Sequence, residues 1–222
     1  HSRFSPGDVA AAQQDTATRH DLRQPFFLYV SRLEHPGKNH VRLIEAFDRF
    51  KAKTQSPWQL ALGGSDWHGA EAIHEAAQKS PYAADIRFLG FVPDEALPTL
   101  YRSASAVVYP SLYEGFGFPP IEAMACGSPV MTTHRGALAE VVRDAAAIVD
   151  PEDVNSMAAA LERLATDEDW RAKLVAAGLQ NAARFNWQQC ARATHEVFRR
   201  AAARHQQRSG AVARPVVEAW TS

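Results

Sequence analysis

Short apolar runs alternate with segments of helical periodicity along most of these 222 residues. The runs predict six strands, at 26–30, 58–62, 86–89, 106–109, 130–133 and 147–149. Strands that alternate with helices are joined by right-handed crossovers, so they form a parallel sheet with helices on both faces. After residue 151 the pattern is helical to about residue 204. The sequence therefore predicts an α/β fold with a parallel sheet of about six strands, followed by carboxyl-terminal helices.

The domain organisation follows from the polar ends of the chain. Residues 1–24 are polar and contain a turn signal at Ser5–Pro6–Gly7, which predicts a linker or a short helix that leads into the domain. Residues 25–205 form the expected Rossmann-like domain with its carboxyl-terminal helices, and residues 206–222, where periodicity is weak, form a tail. Because the sequence opens on His1 rather than Met, we interpret the chain as a fragment of a longer protein.

Composition excludes several function classes. The formal net charge is −1, whereas a nucleic-acid-binding domain needs an excess of positive charge, so no nucleic-acid partner is expected. The two cysteines, Cys126 and Cys190, make neither a disulfide framework nor a metal cluster, which favours a reducing compartment. No apolar stretch approaches the roughly 20 residues that span a bilayer. We expect a cytoplasmic protein.

The loop after the first predicted strand, residues 31–39, carries two cations. Ligands of open parallel sheets bind beyond the carboxyl ends of the strands, so this loop is at the expected binding edge. Arg32 can donate to two phosphate oxygens and Lys38 can act as a point charge on the other phosphate. The following helix adds a partial positive charge at its amino terminus. The alternative is ordinary surface charge.

The loop after the fourth predicted strand contains two glutamates separated by seven residues. Glu114 precedes a turn in which Gly115 and Gly117 let backbone amides approach a ligand closely. We expect Glu122 in the first turn of a helix that begins near Pro119–Pro120. Two acceptors that flank an anion-binding turn suit a molecule with hydroxyls at both ends and phosphates in the middle, such as a nucleotide sugar. Alternatively, Glu122 interacts with the helix dipole and Glu114 is a solvated loop acid.

These motifs resemble family 4 of the retaining glycosyltransferases, the glycosyl transferases group 1, over about residues 26–198. The resemblance rests on the pair Arg32 and Lys38, on the two glutamates, and on the flanking segments 88–92, 109–123, 127–130 and 149–151. One small departure is Ser31, where the family often has glycine.

The resemblance implies a role for each residue. Arg32 and Lys38 would hold the diphosphate and stabilise the leaving group, and Glu114 would contact hydroxyls of the donor sugar, so these three form the implied catalytic set. Glu122 would bind the ribose hydroxyls. The implied donor-binding set also contains the base-side segment Phe91 and Val92 and the turn Gly115, Phe116, Gly117 and Phe118, with the amides around Gly117 and Phe118 on the distal phosphate or sugar.

The resemblance further implies a fold of the GT-B type, in which two α/β domains face a cleft. This chain would be the carboxyl-terminal, donor-binding half, and it would be inactive alone because the acceptor domain is absent. Transfer would retain the anomeric configuration, without a protein nucleophile, a metal or a cofactor, because two fixed cations can replace a divalent ion. GDP-mannose is favoured over UDP-sugars as donor, and the acceptor would be a glycan or lipid-linked sugar of bacterial surface polysaccharide or lipopolysaccharide.

Three alternatives stay open at this point. The chain could be a non-catalytic nucleotide-sugar-binding module, because an isolated half would keep the pocket without turnover. A NAD-dependent oxidoreductase domain is disfavoured, since Gly115 and Gly117 follow the fourth strand rather than the first. The last predicted helix carries several arginines that form a solvated face or contact acidic lipid at the inner face of the membrane.

Overall fold

The computed structural model describes residues 3–209, with side chains to residue 206. The predicted tail, 206–222, therefore lies mostly outside the described residues. The chain divides into two compact units, one that ends at Arg184 and one that begins at Phe185. The first unit contains the sheet, and the second contains the last helix.

The sheet has six parallel strands, as the sequence predicts. They are β1 (Phe26–Val30), β2 (Gln59–Gly63), β3 (Ile86–Gly90), β4 (Ala106–Tyr109), β5 (Val130–Thr132) and β6 (Ala147–Ile148). Their order in the sheet is β3-β2-β1-β4-β5-β6, and every neighbouring pair is parallel. The α/β prediction is confirmed.

Eight α-helices and one short 3-10 helix (Ala83–Asp85) belong to the described part of the first unit. The α-helices are α1 (Val9–His20), α2 (His40–Thr54), α3 (Ala70–Lys79), α4 (Leu97–Ser103), α5 (Phe118–Ala125), α6 (Leu138–Val142), α7 (Val154–Thr166) and α8 (Glu168–Ala182). Helix α2 packs against α3 and α7, whereas α4 packs against α1 and α5, and α5 also packs against α8. These two groups cover the two faces of the sheet. The first 24 residues thus supply a helix, and its burial of Ala12 and Thr16 fixes it on the domain.

The strands are buried because they lie between these helix layers. Side chains alternate between the two faces of a strand, and in β1 the side chains of Phe27 and Tyr29 enter the core on the side of α2. Phe27 packs its ring edge against Phe50 of α2, with centroids 5.4 Å apart. Burial of large side chains on both faces explains why β1 is a continuous apolar run.

The strand order reverses between β1 and β4. Strands β2 and β3 follow β1 outward on one side, and β5 and β6 follow β4 outward on the other. Helices must therefore leave β1 and β4 toward opposite faces, which opens a crevice at the carboxyl ends of these two strands. The loops that begin at Ser31 and Pro110 meet at this crevice. They are the two loops that carry the predicted site residues.

The second unit consists of α9 (Trp187–Ser209) among the described residues. Its side chains are exposed along almost its whole length, including those of Trp187, Val197 and Phe198. Two arginines of this helix, Arg199 and Arg200, form ion pairs with Glu196. Over residues 3–209, no helix combines the length and the apolar character that a bilayer span requires.

Candidate functional site

Lys38 and Glu114 meet at the crevice between β1 and β4. The Lys38 Nζ donates to Glu114 Oε1 at 2.7 Å, and both side chains are largely buried, with exposed fractions of 16% and 12%. The two loops are also joined through the backbone, because the amide of Leu112 donates to the carbonyl of Gly37 at 3.0 Å. The structure thus brings one predicted cation and one predicted acid together at the predicted edge of the sheet.

Arg32 is on the same loop but has other partners. Its Nη2 donates to Glu34 Oε2 at 3.3 Å, and its guanidinium lies 5.0 Å from the ring centroid of Trp67. The side chain of Arg32 is 57% exposed. A guanidinium stacked on an aromatic face keeps its N–H groups pointing outward in the plane of the group. Arg32 therefore retains donors for a ligand while Trp67 limits its freedom.

The loop that carries Trp67 runs beside the first loop. Leu33 and Trp67 are joined by a backbone hydrogen bond of 3.0 Å, and the amide of His35 donates to the carbonyl of His68 at 2.9 Å. Gly64 allows this close approach, because a Cβ at that position would lie 1.8 Å from the carbonyl oxygen of Ser31. Loop 64–69 is therefore a support for the loop that carries Arg32.

The buried Tyr29 of β1 connects the loop that carries Lys38 with the loop that carries Glu114. The hydroxyl of Tyr29 donates to the carbonyl of Lys38 at 2.7 Å and lies 3.0 Å from Ser111 Oγ. Because its single proton goes to the carbonyl, the Ser111 hydroxyl must donate to the tyrosine oxygen. Burial raises the pKa of Tyr29, so the phenol is neutral. This hydroxyl fixes the backbone next to Lys38 relative to the start of the glutamate loop.

Asn39 joins three segments at the start of α2. Its side-chain amide donates to the carbonyls of Pro110 at 3.1 Å and Pro151 at 2.7 Å, and its oxygen accepts from Arg42 at 3.1 Å. The residue is 2% exposed and has a left-handed backbone conformation, with φ of 63°. Asparagine tolerates this region better than most residues. Asn39 directly follows Lys38, so these hydrogen bonds hold the end of the Lys38 loop against the loops that follow β4 and β6.

His40 is buried as a neutral ring beside this network. It stacks on Tyr29 with centroids 4.5 Å apart, and its Nε2 lies 3.3 Å from Ser31 Oγ. Burial lowers the pKa of His40 from 6.5 to about 3. The unfolded chain therefore binds a proton near pH 6.5 that the folded chain does not bind, so stability falls as the pH drops from 6.5 toward 3.

This shift gives a pH prediction. Between pH 6.5 and about pH 5, His40 should lower the free energy of unfolding by up to about 2 kcal/mol, and His40→Phe should lack this contribution. Chemical denaturation at a series of pH values measures it. His134→Gln, at an exposed histidine, is the control. An identical pH slope in wild type and His40→Phe would contradict the buried, neutral assignment.

Glu122 lies on α5 and also has a tyrosine partner. The hydroxyl of Tyr101 donates to Glu122 Oε2 at 3.2 Å. Partial burial raises the pKa of Glu122. The prediction that Glu122 occupies the first helical turn is wrong. Helix α5 begins at Phe118, because Gly117 caps it with φ of 101°, so Glu122 is the fifth helical residue.

The two glycines in the turn between the glutamates differ: Gly117 has a positive φ of 101°, which favours glycine, whereas Gly115 does not. A Cβ on Gly117 would lie 2.5 Å from Leu138 Cδ2, whereas a Cβ on Gly115 would meet nothing within 4 Å. Phe116 and Phe118 are partly exposed and their rings contact each other, with centroids 4.7 Å apart. Helix α5 begins directly after Gly117, and Pro119 and Pro120 carry no amide N–H, so this turn presents the amino terminus of α5 at the site with few backbone donors.

The predicted base-side residues lie at the end of β3. Phe91 is 74% exposed and Val92 is partly buried, and the amide of Gly64 donates to the carbonyl of Gly90 at 2.7 Å. Strand β2 lies between β3 and β1 in the sheet. Phe91 and Val92 are thus on the predicted edge, at one end of the row of loops.

Sequence reasoning missed the residues that hold the predicted ones in place. Tyr29 lies in an apolar run and Tyr101 in a short helix of mixed composition, so both resemble ordinary core residues, and Trp67 lies in a polar loop. Only Asn39 carried a usable signal, because an asparagine directly before a helix often adopts a cap conformation.

Side chains that commonly bind metals do not cluster in the described part of the chain. Within residues 3–209, no group of three or more His, Cys, Asp or Glu side chains is placed to hold a metal ion. The side chains of Asp66 and His74 do form a pair, with His74 Nε2 2.9 Å from Asp66 Oδ1. A shallow hollow lies beside them, lined by residues 66–71.

Comparison with known proteins decides the family. The model of the glycosyl transferases group 1 family matches residues 12–181, which includes all the site residues described above. The chain belongs to the glycosyl transferases group 1 family. Among curated relatives, it is 37% identical over 176 residues to the O-antigen chain mannosyltransferase B of Escherichia coli, over 79% of this chain and 46% of that protein. The chain thus spans about half the length of this relative.

Solved structures agree with the family. Sucrose-phosphate synthase from Thermosynechococcus elongatus is 30% identical and superposes with a TM-score of 0.78, over 91% of this chain and 50% of that chain. The carboxyl-terminal domain of the group 1 glycosyl transferase LpcC from Francisella tularensis is 26% identical with a TM-score of 0.70, over 82% of this chain and 95% of that chain. The fold of this chain is one half of a GT-B fold.

Proposed function

We propose that this chain is the donor-binding half of a retaining, family 4 glycosyltransferase. The observation that carries the proposal is the contact between Lys38 and Glu114 at the crevice between β1 and β4, in a chain of the glycosyl transferases group 1 family. A cation for the phosphates and an acceptor for sugar hydroxyls are adjacent there. The E. coli relative that is named a mannosyltransferase supports GDP-mannose as donor, with UDP-sugars as the second choice.

The chemistry follows from the charges. The bond between the anomeric carbon and the diphosphate breaks and a bond to the acceptor oxygen forms on the same face. Negative charge develops on the departing diphosphate, which takes up the proton that the acceptor hydroxyl loses. Lys38 and Arg32 lie where they can stabilise that charge, and the amino terminus of α5 adds its partial positive charge. The glycan or lipid-linked acceptor would be bound by another part of the full-length protein, at the cytoplasmic side of a membrane.

Titration of the purified chain tests this proposal. We expect calorimetry with GDP, UDP and NAD to show binding of a nucleoside diphosphate, with GDP preferred. Preference for NAD would support the oxidoreductase alternative instead. Binding of GDP together with a lack of transfer activity in the full-length protein would support the alternative of a non-catalytic binding module.

Glu114→Gln gives a second expected result. The substitution removes the charge that Lys38 contacts in the free protein and replaces one of the two carboxylate oxygens, which can accept from sugar hydroxyls, with an amide donor. It should weaken binding of GDP-mannose by about tenfold, the size of one hydrogen bond to a charged group, and leave GDP binding unchanged or tighter. Calorimetry with both ligands measures the difference. Equal weakening of both ligands would place Glu114 on the nucleotide rather than on the sugar.

A further inference from the structure

Tyr101 carries a buried phenol beside the candidate donor site. This residue lies on α4, is 0% exposed, and donates its hydroxyl to Glu122 Oε2 at 3.2 Å. A phenylalanine would fill the same space, and a buried hydroxyl is costly unless it has a partner. The hydroxyl therefore has its partner in a carboxylate that belongs to the candidate donor site.

The position of Tyr101 is fixed from several sides. Its ring packs against Phe4, with centroids 6.0 Å apart, and its backbone carbonyl accepts a hydrogen bond from Ser128 Oγ. Phe4 is itself 8% exposed, and its neighbour Ser5 accepts from Arg102 Nε at 2.8 Å. The segment before α1 thus covers Tyr101 and leaves it little freedom to move.

Glu122 has one oxygen engaged and one available. Oε2 accepts from Tyr101, whereas Oε1 accepts none of the hydrogen bonds found within residues 3–209. A carboxylate whose plane is fixed through one oxygen presents the remaining lone pairs in a fixed direction. Two adjacent hydroxyls of a ribose need two acceptor positions with fixed spacing, which a carboxylate provides.

We propose that Tyr101 is a positioning residue that orients Glu122 toward the ribose hydroxyls of the donor nucleotide. The inference rests on the proposed function, because it requires a nucleotide at this site. Tyr101 would contribute to the preference for ribose although it lies outside the motif of the two glutamates. Tyr101 contacts the carboxylate and acts through it.

The experiment compares ribose with dideoxyribose in the same site. Wild type, Tyr101→Phe and the matched control Tyr82→Phe are titrated with GDP and 2′,3′-dideoxy-GDP. A parallel series uses UDP and 2′,3′-dideoxy-UDP. Tyr82 precedes β3 and so lies at the amino end of that strand, whereas the site lies beyond the carboxyl ends of the strands. Wild type and Tyr82→Phe should prefer the ribonucleotide by about 10- to 100-fold, and Tyr101→Phe should lose about tenfold of this preference.

Two further readouts distinguish positioning from general structural support. In the double variant Tyr101→Phe/Glu122→Gln, ribose preference should equal that of Glu122→Gln alone, because both changes act on one carboxylate. The hydrogen bond from Tyr101 lowers the pKa of Glu122, which Arg3, Asp94 and Cys126 also face. Its loss should therefore move the acid limb of GDP binding to higher pH. Thermal denaturation checks that each variant is folded.

The outcomes separate the two proposals. Absence of nucleotide binding, or a wild type that does not distinguish ribose from dideoxyribose, would overturn the ribose site and with it this part of the proposed function. A wild type with ribose preference that Tyr101→Phe fully retains would overturn only the positioning role. Equal weakening of both analogues in Tyr101→Phe would show a structural role and would also overturn it.

Discussion

Lys38→Met should weaken the binding of a nucleoside diphosphate by about 1.5–3 kcal/mol, which is roughly 10- to 150-fold. The substitution keeps an unbranched side chain but removes the ammonium that lies at the crevice between β1 and β4. It also leaves Glu114 with a 12% exposed side chain and no cation beside it. An approaching diphosphate then meets a negative charge that is no longer balanced, so the loss should be near the upper end of this range.

The same measurement on Arg32→Ala should give a smaller loss. Arg32 is more exposed than Lys38 and already pairs with Glu34 and stacks on Trp67, so a ligand must compete with those partners. Lys53→Met is the matched control. Lys53 lies in the last turn of α2, away from the site, and also forms an ion pair, with Glu162 of α7. Unchanged affinity in both Lys38→Met and Arg32→Ala would refute the assignment of the phosphate site.

Gly64→Ala should destabilise the domain by about 2–6 kcal/mol. The backbone of Gly64 has φ of 150°, and an added Cβ would lie 1.8 Å from the carbonyl oxygen and 2.7 Å from the carbonyl carbon of Ser31. Both atoms belong to the backbone, so relief requires the loop that carries Arg32 to separate from loop 64–69. Nucleotide affinity should fall with the stability because Arg32 loses its support.

Gly127→Ala is the matched control for this prediction. Gly127 has φ of 85°, but a Cβ there would meet nothing within 4 Å, so the substitution carries only the backbone penalty of about 1–2 kcal/mol. Thermal and chemical denaturation of both variants separate the steric contribution from the conformational one. Equal destabilisation of the two variants would mean that the close approach to Ser31 is relaxed in solution.

Most of the sheet could be predicted from the sequence because its strands are buried on both faces. The predicted bounds of β1 and β4 match the structure, those of β2 are shifted by one residue at both ends, and those of the other three strands differ by one residue at one end. Strand β3 was predicted in the same way, but it lies at the edge of the sheet, where Phe88 is 37% exposed. Apolar character alone does not distinguish an edge strand from a central one.

The contact between Lys38 and Glu114 follows from two charged residues that each lie in a loop after a strand. Lys38 and Glu114 are 76 residues apart in sequence, yet the rule that ligands bind at the carboxyl edge of a parallel sheet places both at one edge. The supporting hydrogen bonds were not predictable. Tyr29 and Tyr101 are buried aromatic residues whose hydroxyl partners depend on the three-dimensional packing of loops, and periodicity carries no information on that packing.

A crystal structure of this chain with bound GDP tests the central claim most directly. The account predicts diphosphate oxygens within hydrogen-bonding distance of Lys38 and Arg32, with the ribose at Glu122 and the base near Phe91 and Val92. A diphosphate bound elsewhere, for example in the hollow lined by residues 66–71, with Lys38 still paired to Glu114, would contradict it.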